Sequence, residues 1–253
     1  MSLRACIVVP VYNHRPQVRD FVPRLRDTGL PVILVDDASG RETAELLDSM
    51  AAGDPDVILL RHDVNRGKGG AVISGLFEAS RCGFSHALQI DADGQHDPRD
   101  IGIMLTLATN RPQALIAGHP IFDASAPRGR VVARYLTHVW VWIETLSLCI
   151  RDSMCGFRVY PLAETLPLLG TKGLGQRMDF DPEIMVRLFW RGVEIVPVPT
   201  SVSYRADGSS NFRLVKDNLL ISWMHARLVC GMLIRLPMLL RRKFQHPPDH
   251  VHA

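Results

Sequence analysis

The chain has 253 residues, of which 47% are hydrophobic and 22% are charged, and its formal net charge at pH 7 is +3. This length and apolar content are enough for a large core, and they exclude a disordered chain, a collagen-like repeat and a small disulfide-stapled fold. A protein that coats nucleic acid would be more basic, so we expect no nucleic-acid partner.

Short apolar segments alternate with amphipathic segments through the first half of the chain. The predicted strands are Cys6–Pro10, Val32–Val35, Val57–Leu60, Ala87–Ile90 and Ala114–Ala117, and the predicted helices between them are Pro16–Asp27, Arg41–Met50, Gly70–Arg81 and Arg99–Thr109. This alternation predicts an α/β fold with a mostly parallel, Rossmann-like sheet and helices on both faces. Ligands of such sheets bind outside the carboxyl ends of the strands.

Polar residues follow four consecutive predicted strands. They are Pro10, Tyr12 and Asn13 after the first strand, Asp36, Asp37 and Ser39 after the second, the segment 65–70 with Lys68 after the third, and Asp91, Asp93 and Gln95 after the fourth. Since the carboxyl ends of parallel strands share one edge of the sheet, these clusters predict one converging pocket.

Asp91 and Asp93 are two carboxylates separated by one residue, and Gly94 after them allows a turn. Such a pair repels itself unless a cation is present. Hard oxygen ligands favour Mg²⁺ or Mn²⁺, and substrate phosphates commonly complete the shell of Mg²⁺. The alternative is structural: Asp97 before Pro98 caps the following helix, and the two carboxylates are turn residues.

The clusters after the second and third strands suit a nucleotide. Asp36 and Asp37 can accept hydrogen bonds from a base or ribose, although Ser39 also has the features of a helix N-cap. The glycine-rich segment 65–70 offers backbone amides and Lys68 to phosphate or ribose oxygen. It lacks the spacing of a Walker loop, and no GxGxxG follows the first strand. A nucleoside-triphosphate hydrolase and a dinucleotide dehydrogenase are therefore disfavoured.

Taken in order, these segments resemble the motifs of family 2 glycosyltransferases with the GT-A fold. The matching segments are Val9–Asn13, Val35–Ser39, Asn65–Gly69 and Asp91–Gln95. The resemblance is closest to the dolichol-phosphate mannosyltransferase branch, whose later motifs are similar to Asp152–Arg158, Phe180–Glu183 and Val196–Val198. It covers the chain from about Ala5 to Arg213.

The resemblance implies an inverting, metal-assisted transfer from a UDP- or GDP-sugar. It assigns the donor to Pro10, Tyr12, Asn13, Asp36, Asp37, Ser39, Lys68 and Asp91, the metal to Asp91 and Asp93, and a catalytic role beside the phosphates to Asp93 and Gln95. The metal would neutralise the leaving diphosphate as a Lewis acid. The segment 205–213 resembles a loop that closes over the donor, where Arg205 would hold the diphosphate; a plain linker is the alternative.

The acceptor side departs from the family pattern. The branch usually carries Gly-Ser-Arg after the fifth strand, whereas this chain has Gly118-His119-Pro120. Arg130 and Arg134 are four residues apart on one helix face and could bind an acceptor phosphate, or they form a solvated basic face. Arg158, in the acceptor-side motif, is a further candidate.

The nature of the acceptor decides whether a base is needed. A phosphate is already ionised, whereas the hydroxyl of a saccharide or another soluble acceptor needs a carboxylate base, for which Asp181 is the main candidate and Glu183 a second. Asp179 and Asp181 could instead cap the predicted helix Pro182–Arg191. A regulatory protein that binds the nucleotide sugar without turnover is a third reading, which the intact Asp91–Asp93 pair disfavours.

The C-terminal segment 214–243 carries six basic residues and one acidic residue, and its apolar residues spread around the helix. Such a helix is buried or contacts lipid, and basic residues favour an anionic bilayer surface. We expect a catalytic domain over residues 1–213, a helix over 214–243 in peripheral contact with the membrane, and a disordered tail over 244–253. Packing on the catalytic domain and a homodimer contact are the alternatives.

The expected location is the cytoplasm, at the inner face of the cytoplasmic membrane. The five cysteines form no CxxC pair, as is typical of reduced thiols. The N-terminal residues lack the pattern of a secretory signal peptide.

Overall fold

The computed structural model describes residues 3–121, 128–171, 173–202 and 213–245. Within these ranges, seven strands form one sheet in the order β3-β2-β1-β4-β6-β5-β7. The strands are β1 (Ala5–Val11), β2 (Val32–Asp36), β3 (Val57–Arg61), β4 (His86–Gln89), β5 (Leu115–Ile121), β6 (Arg158–Pro161) and β7 (Ile195–Ser201). The helices are α1 (Arg15–Arg26), α2 (Arg41–Gly53), α3 (Lys68–Arg81), α4 (Ile101–Asn110), α5 (Arg128–Thr145), α6 (Leu162–Leu169), α7 (Phe180–Trp190) and α8 (Leu214–Gln245).

The sheet is mostly parallel, as predicted. The pairs β3–β2, β2–β1 and β1–β4 are parallel, and so is the pair β5–β7. Strand β6 runs antiparallel between β4 and β5. The predicted elements of the first half are confirmed within a few residues, whereas the antiparallel insertion of β6 was not predicted, because a four-residue strand carries no signal of its direction.

Hydrophobic cores cover both faces of the sheet. Alternate residues of β1 point to opposite faces, so that Val8 packs with the core under α3 and α7, and Val9 packs with the core under α1 and α4. Gly75 lets α3 approach the sheet, because a Cβ there would lie 2.3 Å from Val8 Cγ1. Because helices cover both faces, we look for a site outside the carboxyl ends of the strands, where ligands of such sheets bind.

Helix α8 packs on the same side of the sheet as α3. Met224, Leu228 and Met232 are buried in the core shared with α5 and α7. Among the described residues, Val215–Lys243 is long and apolar enough to cross a membrane, and 28% of its most apolar window is buried in the protein. Length and composition alone do not separate a spanning helix from a packed one. The predicted tail lies mostly outside the described residues.

Candidate functional site

Three motifs that are far apart in the sequence meet at Lys68, the first residue of α3. Its ammonium donates to Asp91 Oδ2 over 2.8 Å and to Asp181 Oδ2 over 2.7 Å. Burial alone would lower the pKa of Lys68, but the carboxylates of Asp181 and Asp91 raise it above the ordinary value. Gln89, the last residue of β4, donates to Asp181 Oδ1 over 3.2 Å. Lys68 is therefore a fixed cation that links the segment just after β4 to the first turn of α7.

Asp91 and Asp93 fit a divalent cation. Asp91 Oδ1 is buried without a hydrogen-bond partner in the structure. Burial, and then repulsion by Asp91, raise the pKa of Asp93, whereas Lys68 lowers the pKa of Asp91 despite its burial. A cation between the two carboxylates would bind the unpartnered oxygen and relieve the repulsion.

Gly156 gives the Asp91 carboxylate its space. A Cβ at residue 156 would lie 2.5 Å from both carboxylate oxygens of Asp91, a distance that real Cβ atoms essentially never show. In the described part of the chain, no group of three or more His, Cys, Asp or Glu side chains could hold a metal. A cation at Asp91 and Asp93 would therefore need further oxygen ligands from water or substrate phosphate.

The carboxylates of Asp36 and Asp37 bind other protein groups in this structure. Both residues are buried, so that little of their surface is exposed to a nucleoside. Asp37 accepts from the backbone amides of Arg66 and Gly67, both over 2.8 Å, and lies 2.8 Å from His62 Nδ1. Asp36 is fully buried and pairs with Arg61 over 2.8 Å. In this structure Asp37 fixes the loop between β3 and α3, and Asp36 holds the last residue of β3. Direct contact of the two carboxylates with the nucleoside stays a prediction.

The first two strand ends are tied to each other. Asn13, at φ 56°, donates from its backbone amide to Ser39 Oγ and accepts at Oδ1 from the Gly40 amide. Gly40 is the N-cap of α2, so Ser39 joins the two strands and does not cap the helix. Tyr12 is half-buried at the same edge, and Pro10 is buried within β1. These residues therefore lie at or next to the carboxyl ends of β1 and β2, where the sequence predicts the pocket.

The acceptor-side motif is organised by two arginines. Arg134 makes two hydrogen bonds to the carboxylate of Asp152, which also accepts from the amides of Met154 and Cys155. Burial would raise the pKa of Asp152, but hydrogen bonds from His138 and Arg134 hold it below the ordinary value. The side chain of Arg130 and all of Arg205 lie outside the described residues.

Arg158 was predicted to contact the acceptor, and its position contradicts this role. The side chain is fully buried. Its guanidinium donates to the carbonyl oxygens of Cys155 over 2.8 Å, Ser153 over 2.6 Å and Asp181 over 2.7 Å. Arg158 therefore fastens the acceptor-side loop to α7. The sequence motif located the residue correctly but could not show that its side chain points inwards.

The two acidic residues at the start of α7 point to different partners. Asp181 faces Lys68 and Gln89, and its side chain is 6% exposed. Glu183 is fully buried, accepts from the Gly175 amide over 2.8 Å and pairs with Arg187 over 2.6 Å and Arg227 over 3.1 Å. Glu183, the second candidate base, is thus a structural ion-pair partner. Asp179 is the N-cap residue of α7, but its side chain makes no capping hydrogen bond to the helix and accepts from the Arg177 amide over 3.0 Å instead.

Gln95 and a cavity lined by other residues are the last two features of this region. The backbone amide of Gln95 donates to Asp93 Oδ1 over 3.0 Å, which orients that carboxylate. A cavity of about 470 Å³ opens beside the β3–α3 loop and is lined by Asn65, Arg66, Gln176, Arg177, Asp179 and Leu220. The sequence analysis did not single out Gln89, Gly156 or Arg177; a glutamine inside an apolar strand was the signal available for Gln89.

Comparison with solved structures identifies the class of fold. Glucosyl-3-phosphoglycerate synthase from Mycobacterium tuberculosis, in complex with Mn²⁺ and UDP-glucose, has a TM-score of 0.65 at 17% identity, over 92% of this chain and 79% of that chain. Mannosyltransferase PcManGT from Pyrobaculum calidifontis, in complex with GDP-Man and Mn²⁺, has a TM-score of 0.56 at 16% identity, over 82% and 59%. The fold is that of the GT-A glycosyltransferases.

The sequence comparison narrows the class to a family. Residues 6–162 match Glycosyl transferase family 2, and the chain belongs to this family. Undecaprenyl-phosphate mannosyltransferase of Micrococcus luteus is 29% identical over 82% of this chain and 87% of the relative. Polyprenol monophosphomannose synthase of Mycolicibacterium smegmatis is 27% identical over 82% and 80%. The predicted glycosyltransferase and its branch are confirmed.

Proposed function

We propose that this glycosyltransferase moves a sugar from a UDP- or GDP-sugar to the phosphate of a polyprenyl phosphate, with inversion at the anomeric carbon. The bond between the anomeric carbon and the donor diphosphate breaks, a bond from that carbon to an acceptor phosphate oxygen forms, and the nucleoside diphosphate leaves. Relatives named as polyprenol-phosphate sugar transferases support this acceptor class.

The main structural support for a phosphate acceptor is the environment of Asp181. A hydroxyl acceptor requires a base that can reach its proton. The Asp181 carboxylate is nearly buried, and it is held by Lys68 and Gln89 on its two oxygens. A phosphate acceptor is already ionised at neutral pH and needs no such base. The geometry therefore favours phosphate over the hydroxyl of a saccharide or another soluble acceptor.

Asp91 and Asp93 would hold the divalent cation, Mg²⁺ or Mn²⁺, together with the donor diphosphate. When bound, the cation supplies Lewis-acid stabilisation of the leaving diphosphate. Lys68 keeps the Asp91 carboxylate ionised and in place, and the Gln95 amide orients Asp93. The predicted donor contacts of Tyr12 and Arg205 and the acceptor contacts of Arg130 and Arg134 belong to this proposal.

A lipid acceptor requires the enzyme to work at a membrane. We place that contact at residues 214–243, with the catalytic domain in the cytoplasm at the inner face of the cytoplasmic membrane. The apolar and basic composition of α8 supports this position.

Matched acceptors test the function directly. The protein is incubated with Mg²⁺ or Mn²⁺ and each of several UDP- and GDP-sugars. The acceptor is a polyprenyl phosphate, the corresponding polyprenol or a soluble saccharide, and the glycosylated product is measured by mass spectrometry. We expect product from the phosphate alone, and we expect Asp181→Asn to retain measurable transfer. Transfer to the polyprenol, or to a saccharide with complete loss in Asp181→Asn, would establish the hydroxyl mechanism instead.

A further inference from the structure

Helix α5 carries an exposed apolar stripe. Tyr135, Leu136, Trp140 and Ile143 are all exposed large side chains. The last three follow Tyr135 by one, five and eight residues, a spacing that places all four on one side of the helix. The inward side of α5 bears Arg134, which holds Asp152 of the acceptor-side motif. One helix therefore joins an exposed apolar surface to the acceptor side of the site.

Helix α8 carries a second, longer stripe. Val215, Leu219, Trp223, Leu233 and Ile234 are exposed, and Trp223 retains 64% of its surface. The opposite side of α8 supplies buried residues to the core, as described above. The helix is thus two-sided over its whole length, although its sequence composition is apolar all round.

Trp140 of the α5 stripe contacts α8. Its ring stacks on that of His225 in α8 with a centroid distance of 6.0 Å, yet 46% of the Trp140 surface stays exposed. Beneath it, His225 Nδ1 lies 2.7 Å from Glu144 Oε1 in a buried pair that fastens α8 to α5. The apolar surface is therefore one two-helix face, which we call the α5–α8 face.

The charges on this face have a single sign. Each of the two helices contains one acidic residue, Glu144 in α5 and Asp217 in α8, and both are buried. Asp217 Oδ2 accepts from the Arg213 amide, and Glu144 pairs with His225. The exposed charges of α8 are consequently all basic, as at Lys216 and Lys243. Apolar surface with tryptophan and tyrosine and with basic ends complements an anionic bilayer.

We propose that the α5–α8 face, and not α8 alone, is the surface that docks on an anionic lipid bilayer, with Trp140 and Trp223 inserted among the headgroups. The inference rests on the proposed lipid acceptor and goes beyond it by assigning α5 to the membrane contact. Because α5 also holds Arg134, docking of this face brings the acceptor side of the site to the level of the lipid phosphates.

Vesicle sedimentation with the full chain tests the proposal. Wild type, Trp140→Glu and the double variant Trp140→Glu/Trp223→Glu are mixed with phosphatidylcholine vesicles with or without phosphatidylglycerol. Ile103→Glu is the matched control, because Ile103 is an exposed apolar residue of α4, on the other side of the sheet. Thermal unfolding and donor-induced thermal shifts verify that every variant is folded.

We expect wild type to bind the anionic vesicles at least tenfold more tightly than neutral ones. Trp140→Glu should weaken binding several-fold, the double variant at least tenfold, and Ile103→Glu should bind as wild type does. If Trp140→Glu binds the anionic vesicles as tightly as wild type does, α5 is not part of the membrane contact, and the proposal is wrong. Equal loss in Ile103→Glu, equal binding to neutral vesicles, or a lipid-free dimer that the double variant dissociates would overturn the proposal. Vesicle binding without sugar transfer to polyprenyl phosphate would refute the proposed function and leave this inference standing.

Discussion

Replacing Lys68 by Met removes the only cation that touches both Asp91 and Asp181 in the described structure. Methionine keeps the length and apolar stem of the side chain, so the change tests the charge more than the packing. The variant leaves two carboxylates close to the same point, each without the ammonium that now lies 2.7 to 2.8 Å away. The sequence predicted that Lys68 binds phosphate. In this structure its ammonium pairs with Asp91 and Asp181.

The magnitude follows from the burial of the three side chains. Removing one partner of a buried ion pair costs about 3–5 kcal/mol, because a buried charge loses its compensation. Lys68 and Asp91 retain 18% and 23% exposure, and Asp181 only 6%. Solvent therefore offsets part of the loss at Asp91 but little at Asp181, and we expect about 3 kcal/mol in the free energy of unfolding. Asp181→Asn in the Lys68→Met background should recover at least about 1 kcal/mol through the coupling between the sites.

Urea unfolding at pH 7 with a chelator present measures this cycle. Arg41→Met serves as the control, since the Arg41–Glu45 pair is exposed and its loss costs less than about 1 kcal/mol. A loss at Lys68 no larger than at Arg41 would refute the reasoning. Additivity of Lys68→Met and Asp181→Asn within about 0.5 kcal/mol would do the same, because it would show that the two groups do not interact.

Three further changes probe the site and its support. Gly156→Ala should displace the Asp91 carboxylate and lower turnover by about 100-fold, the typical effect of a misplacement of about 1 Å, in an initial-rate assay. Arg227→Gln should lower the free energy of unfolding by about 1.5 kcal/mol in urea, because Glu183 loses one of its two ion pairs. Asp152→Asn should cost about 2 kcal/mol at pH 7. Because the hydrogen bonds of Asp152 hold its pKa below the ordinary value despite burial, that loss should shrink as pH falls below the ordinary aspartate pKa.

Matched variants separate these effects from general damage. Gly102→Ala, in α4, meets no atom within 4 Å and should leave turnover unchanged. Arg235→Gln removes an exposed α8 cation that lies over Trp190, and it should cost less than Arg227→Gln. Normal turnover in Gly156→Ala, equal losses at the two arginines, or a cost of Asp152→Asn that is independent of pH would each contradict the corresponding reasoning.

The sequence predicted the sheet and the edge at which the site lies, because both follow from local patterns. Strand and helix periodicity identified β1 to β5, and the polar residues after four strands located Asp91 and Lys68. The contact between Lys68 and Asp181 could not be predicted in the same way, since it joins residues 113 positions apart that no periodicity connects. The direction of a side chain was also hidden, as the buried guanidinium of Arg158 shows.

The C-terminal helix shows why composition alone left its role open. Its apolar residues surround the axis, so the sequence is compatible with a membrane contact, a dimer and packing on the catalytic domain. In the structure, one side of the helix packs into the core through Met224 and Met232, and the opposite side is exposed.

The buried charges reinforce this division. Glu183 of α7 and Glu144 of α5 are fully buried carboxylates, and each has a partner on α8, Arg227 for the first and His225 for the second. Without α8, Glu144 would lose the imidazole of His225, 2.7 Å away, and Glu183 would keep only Arg187 as an ion-pair partner. A buried carboxylate without its partner is strongly destabilising. The predicted boundary at residue 213 therefore does not mark an independent unit, because buried carboxylates before it have partners on the inner side of α8. The proposed docking surface and the partners of Glu144 and Glu183 thus lie on opposite sides of one helix.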